Sequence, residues 1–153
     1  MPYLSHQRHR QPYVSLPESD RRLKDVELLL STIRDLPLER ATKKRMLHHA
    51  LWLVVELTGN FYSRYRSAGV IAAVGVPIQR DHIHPRKLLV AEVLEGKVDL
   101  SCVVERARCC IVTKEEHCLL SGVGANVQGF ERYDRAGVTY HDMTIYVPAY
   151  PTV

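Results

Sequence analysis

The sequence predicts an α+β fold in which an N-terminal helical scaffold is followed by a strand-containing part and a short C-terminal strand. Three observations carry this. Apolar residues recur at helical spacing from about residue 20 to residue 57, short β-branched runs begin at residue 76, and the final segment "VTYHDMTIYV" alternates as a strand does.

Residues 1–17 hold three prolines and the basic run "HQRHR" without apolar periodicity, and are expected to form a flexible basic arm. Residues 18–153 are expected as a single α+β domain, because 153 residues suffice to bury about two-thirds of the unfolded surface in one core. Its helical part is expected over 18–75. Ser19 or Asp20 caps a first helix whose stripe is Leu23, Val26, Leu30 and Ile33, and Leu36-Pro37 ends it. A second helix, 38–57, has a broad apolar face through Leu47, Leu51 and Val54. "FYSRYRSAGVIAAV" reads as a third helix, stopped by Gly75 and Pro77.

The character then changes. "VPIQRDHIH" reads as a strand, "RKLLVAEVLEG" as a helix closed by Gly96, "DLSCVVERA" as another short helix, and "RCCIV" as a buried strand. Thr113 with Glu116 three residues on makes a capping box for the helix "KEEHCLLS", which Gly122 ends. "GFERYDRAG" reads as a last short helix before the C-terminal strand.

Composition sets mild limits. Hydrophobic residues make up 46% and charged residues 25%, and 21 Lys and Arg face 17 Asp and Glu, a surplus too small to argue for a polyanionic partner alone. No stretch approaches the roughly 20 apolar residues of a membrane span, and the N-terminus has no apolar signal core, so no membrane partner and a cytoplasmic location are expected. In that compartment Cys102, Cys109, Cys110 and Cys118 are expected as reduced, mostly buried, small apolar residues. His48 and His49 are read as surface residues, and Trp52 and "FYSRY" as core or interface residues first and base-stacking platforms only a distant second.

The stretch that asks for a chemical explanation is "RDHIHPRK", residues 80–87, which surrounds Ile83 and Pro85 with an acid, two histidines and three bases. Together with "CCIVTKEEH" it resembles the HNH nucleases of the His-Me finger group, whose core is a ββα-metal unit with Asp-His at a strand end and a closing His on the helix. The resemblance covers about 40 of the 153 residues and implies a ββα-metal-like unit over 76–122, with the C-terminal helix and strand over 123–153.

What the resemblance implies is a metal-dependent endonuclease acting on nucleic acid, DNA ahead of RNA. It makes His82 the general base, Asp81 a metal ligand and His117 the closing metal-binding His. The ion expected is Mg2+ or Mn2+, with Ni2+ or Zn2+ as alternatives. Arg80, His84, Arg86 and Lys87 would then contact nucleic acid, the last two holding the flanking phosphates. Cys110 lies where a thiolate ligand could stand.

The chain departs from the family pattern in two ways. No Asn lies between His82 and His117, the only two being Asn60 and Asn126, so Asp99 is the candidate substitute in the metal loop. The CxxC pairs of a structural zinc are also missing. Two other functions therefore stand beside the nuclease. One is a non-catalytic nucleic-acid-binding or regulatory module on the same scaffold; the other is a helical interaction or oligomerisation protein, with a homodimer as its simplest form.

Overall fold

A computed structural model describes residues 9–72 and 75–145. Residues 1–8, which hold part of the expected arm, and 146–153, the end of the expected last strand, lie outside the described residues. The fold is α+β, as the periodicity predicts, and no helix among the described residues is long and apolar enough to cross a membrane.

In chain order the elements are α1 (Pro17–Asp35), α2 (Arg40–Leu57), a 3-10 turn (Asn60–Tyr62), β1 (Tyr65–Ser67), α3 (Ala68–Ala72), β2 (Ile78–His82), α4 (Arg86–Glu95), α5 (Leu100–Arg106), β3 (Cys109–Thr113), α6 (Lys114–Ser121), α7 (Phe130–Ala136) and β4 (Tyr140–Asp142). The chain divides into two compact units of interleaved segments: a sheet unit of Met1–Val14, Phe61–Asp81 and Cys110–Val153, and a helical unit of Ser15–Asn60 and His82–Cys109.

In the helical unit, the predicted stripe of Leu23, Val26, Leu30 and Ile33 is the buried face of α1. The helix starts earlier than Ser19, because Pro17 occupies the first turn, where its missing N–H costs nothing. From α2 it meets Leu47, Ala50, Leu51 and Val54; Leu89, Val90 and Val93 of α4 and Val103 and Val104 of α5 complete one apolar core. Gly96 ends α4 in the left-handed conformation at φ 70°, which a side chain would disfavour. Asp99 caps α5, its Oδ1 accepting from the Ser101 N–H at 2.9 Å. That is the role of the residue proposed above as a substitute in a metal loop.

Among the described residues four strands form a mixed sheet in the order β2-β3-β1-β4. β1 pairs parallel with β3, placing Tyr65 opposite Cys110, and antiparallel with β4, placing Arg66 opposite His141. Here the expectation of a third helix over "FYSRYRSAGVIAAV" is corrected: its first half is a turn and a strand, and among its described residues only Ala68–Ala72 is α-helical. Three residues suffice for β1 because it is bordered on both sides, so the ladder satisfies its backbone where periodicity gives no signal. β3 is buried throughout, as expected of "CCIVT", and α6 opens with the predicted capping box, the Glu116 N–H donating to Thr113 Oγ1 at 3.2 Å.

The described part of the expected arm is tied to the sheet unit. Arg66, 2% exposed within β1, donates to the carbonyl oxygens of His9 at 2.8 Å and Gln11 at 2.7 Å. Arg10 Nε donates to Ile71 O at 2.9 Å, and Tyr13 N to Met143 O at 3.0 Å. His9 is itself buried and stacks on Tyr62.

Candidate functional site

Asp81 lies near the end of β2 and is only 4% exposed. Burial raises its carboxyl above the ordinary carboxylate range, against the opposing pull of Tyr133, Arg132 and His117. The partners come from two helices of the sheet unit. Oδ2 accepts hydrogen bonds from the Tyr133 hydroxyl and from Arg132, both on α7, and Oδ1 faces His117 Nε2 of α6 at 3.7 Å. α7 is short, but Arg132 and Tyr133 are adjacent on it, which lets one turn supply both donors to a single oxygen. Tyr133 is fully buried, and its hydroxyl is pushed far above the usual phenol range by that burial.

This is a closed polar cluster with one opening. Arg132 neutralises the carboxylate, Tyr133 fixes it, and His117, whose side chain is 36% exposed, is the member that meets solvent. The resemblance would put a divalent ion on Asp81 and His117. The residues do not fit one: a guanidinium already holds the carboxylate that such an ion needs, and a single imidazole at 3.7 Å is the remaining donor. Among the described residues no group of three or more His, Cys, Asp and Glu side chains is placed to hold a metal. Cys110, buried in β3, belongs to no such group.

His82 follows Asp81 directly and belongs to the helical unit, with Nδ1 at 3.4 Å from Cys109 Sγ and the ring tilted against Trp52 at 6.0 Å between centroids. Of the three residues assigned to one centre by the resemblance, Asp81 and His117 are together, while the contacts of His82 include Trp52 and Cys109.

The expected nucleic-acid contacts fall in both units. Arg80 spreads over the Phe61 ring at 4.5 Å in the sheet unit. His84 is half-buried. Arg86 and Lys87 form the first turn of α4; Arg86 lies over the Trp52 ring at 5.1 Å, and Lys87 is exposed. Cys109 and Cys110 are buried as expected, whereas Cys102 and Cys118 are exposed.

Two residues of the cluster, Arg132 and Tyr133, had no signal in the sequence beyond their place in a short helix. Their partner Asp81 is 51 and 52 residues away, and nothing local to "GFERYDRAG" points to it. Compared with family models, with curated proteins and with solved structures, the chain finds no match.

Proposed function

We propose that this chain is a non-catalytic nucleic-acid-binding module whose fold resembles an HNH scaffold and whose would-be metal position is held by its own Arg132 and Tyr133. The observation that carries the reading is how "RDHIHPRK" divides its charges. Its acid, Asp81, is consumed internally by Arg132, while Arg86 and Lys87 occupy the first turn of α4, which contains no acid. The start of a helix carries partial positive charge, so two cations there raise the local potential instead of balancing it. Among the described residues Arg86 pairs with no carboxylate. A polyanion is the partner that would make this arrangement favourable.

A second reading, phosphodiester hydrolysis, is favoured by one specific feature: the His117 imidazole stands beside the Asp81 carboxylate and is partly exposed. An acid that orients an imidazole is a common device of proton transfer. The nuclease reading additionally requires His82 as general base.

One experiment separates the two. Purified protein is mixed with labelled DNA and RNA at increasing salt, and the same preparation is incubated with supercoiled plasmid in magnesium, manganese, nickel or chelator, beside His82→Ala and His117→Ala. Salt-sensitive binding without nicking supports the module. Nicking lost in His82→Ala supports the nuclease, and neither binding nor nicking overturns both.

A further inference from the structure

The helical unit carries a face that the reading of residues 80–87 leaves out. Arg45, His48, His49 and Trp52 are spaced i, i+3, i+4 and i+7 along α2, so they line one side of that helix. They flank the buried stripe of Leu47, Ala50, Leu51 and Val54 without belonging to it. Arg45 and His49 are exposed, and His48 and Trp52 are half-buried.

α4 adds to the same face from the side. The Arg86 guanidinium lies 5.1 Å from the Trp52 ring centre, and its Nη1 reaches His48 O at 3.5 Å. The His82 ring tilts against the other members through Trp52. The group therefore contains an indole, a guanidinium stacked on it, a second arginine and three imidazoles. The next acid along this side of α2 is Glu56, one turn beyond Trp52. Burial, then Arg86, then His49 all hold the His48 imidazole below its ordinary pKa, which is what crowding of like charge does.

A cation packed on an aromatic ring can be a purely internal contact. What argues for an external ligand is the combination of partial exposure, absent carboxylates and mixed chemistry. Neither Arg45 nor Arg86 has a carboxylate partner among the described residues. A simple anion would be served by the cations and would leave the indole idle; an apolar peptide would use the indole and leave the cations unsatisfied. A chain that alternates flat aromatic rings with phosphates uses both. A duplex hides its ring faces in the stack, so the arrangement suits a single strand.

We propose that the Arg45–His48–His49–Trp52 face of α2, with Arg86, is a binding site for single-stranded nucleic acid, a base stacking on the Trp52–Arg86 pair and phosphates contacting Arg45 and Arg86. The proposal rests on the nucleic-acid-binding reading above and names the site and the strand form. No bond is made or broken.

Trp52 is the only tryptophan in the chain, so its fluorescence reports on this face alone. The test titrates the full chain with a twelve-nucleotide single-stranded DNA, the same sequence as RNA, and its duplex, following tryptophan emission and the anisotropy of end-labelled strands. The expected result is saturable quenching by the single strands that salt reverses, and weaker binding of the duplex. Trp52→Leu is expected to weaken single-strand binding by about tenfold, within the range of one lost stacking contact. Arg45→Gln should lower the slope of log affinity against log salt by about one. Arg45 is exposed, so this variant tests the site without disturbing the core.

Binding seen by anisotropy with unchanged tryptophan emission and unchanged affinity in Arg45→Gln and Arg86→Gln would overturn this site and leave the binding module standing. Preference for the duplex would overturn the single-strand assignment. If no strand binds at low salt, the module reading fails and takes this inference with it.

Discussion

The guanidinium of Arg132 and the carboxylate of Asp81 form a buried ion pair in the sheet unit, with side chains 13% and 5% exposed. Such a pair is costly to break from one side, because the remaining charge is left without its counterion. Arg132→Gln is expected to destabilise the protein by about 3–5 kcal/mol at neutral pH. The sign of its pH dependence follows from Asp81. Its folded carboxyl already titrates above the unfolded one, so ionising it opposes folding as pH rises, and removing the cation moves that titration higher still. The variant should therefore lose more stability between acid and neutral pH than the wild type. Carbon-detected NMR of the Asp81 carboxyl, with denaturation at several pH values, checks both; an unmoved titration would mean that Arg132 does not neutralise Asp81.

Gly69 is fixed by a neighbour rather than by its backbone angles. A Cβ built there would meet Glu116 Oε1 at 2.5 Å. That carboxylate cannot simply swing away, since it accepts from Ser67 Oγ, from the Gly69 N–H at 3.2 Å and from the Thr113 N–H at 2.8 Å. Gly69→Ala is expected to cost about 1–3 kcal/mol through the lost acceptor. In thermal melts that is a fall of several degrees, and a Gly69→Ala/Glu116→Ala double variant should show less than the sum of the single losses.

Much of this fold could be read from period and punctuation. The α1 stripe, the glycine that ends α4 and the Thr113–Glu116 box are local signals, and each stands where the spacing put it. β1 could not be read this way. Three residues carry no period, and Arg66 within it looks like a surface residue until the carbonyls that it caps are brought in from residues 9 and 11. The candidate site divides along the same line. Asp81 and His117 were visible as an acid and a His that the resemblance brings together, but Arg132 and Tyr133 reach Asp81 only through tertiary folding. Trp52 and its neighbours had helical spacing in plain view; what was missing was the packing of Arg86 on the indole, which turns a bland helix side into a mixed cationic and aromatic face.

Asp142 and Arg64 provide a pH test within the sheet unit. Arg64 Nε donates to both carboxylate oxygens at 3.0 Å, and the Thr144 N–H donates to Oδ1 at 3.0 Å. The hydrogen bond from Arg64 is the chief reason that Asp142 titrates at about 2. A carboxyl whose folded pKa lies below its unfolded value contributes stability above the unfolded pKa and loses it as pH falls through the folded one. The stabilisation should thus be present at pH 5 and above and fade between about pH 4 and 2, where the unfolded carboxyl titrates near 3.9. Asp142→Asn should remove this part of the acid dependence, so the gap between wild type and variant shrinks as pH falls. A gap that stayed constant from pH 6 to pH 2 would show that the carboxylate charge is not what Arg64 holds.

The buried Arg66 guanidinium donates to the backbone oxygens of Ser63, His9 and Gln11, and desolvation lowers its pKa to about 10. Several carbonyl oxygens share this one guanidinium, and only a planar fork reaches several of them at once. Arg66→Lys keeps the charge but loses the fork, so the contacts to residues 9 and 11 should fail first while β1 keeps its ladder. The expected outcome is a folded protein in which Arg10, now held by its Nε bond to Ile71 O, becomes a ready site for trypsin. Limited proteolysis followed by mass spectrometry measures this directly. Cleavage after Arg10 at the wild-type rate would show that Arg66 does not hold the N-terminal segment, whereas much faster cleavage, with far-UV circular dichroism unchanged, would identify this buried arginine as the clasp between β1 and residues 9–11.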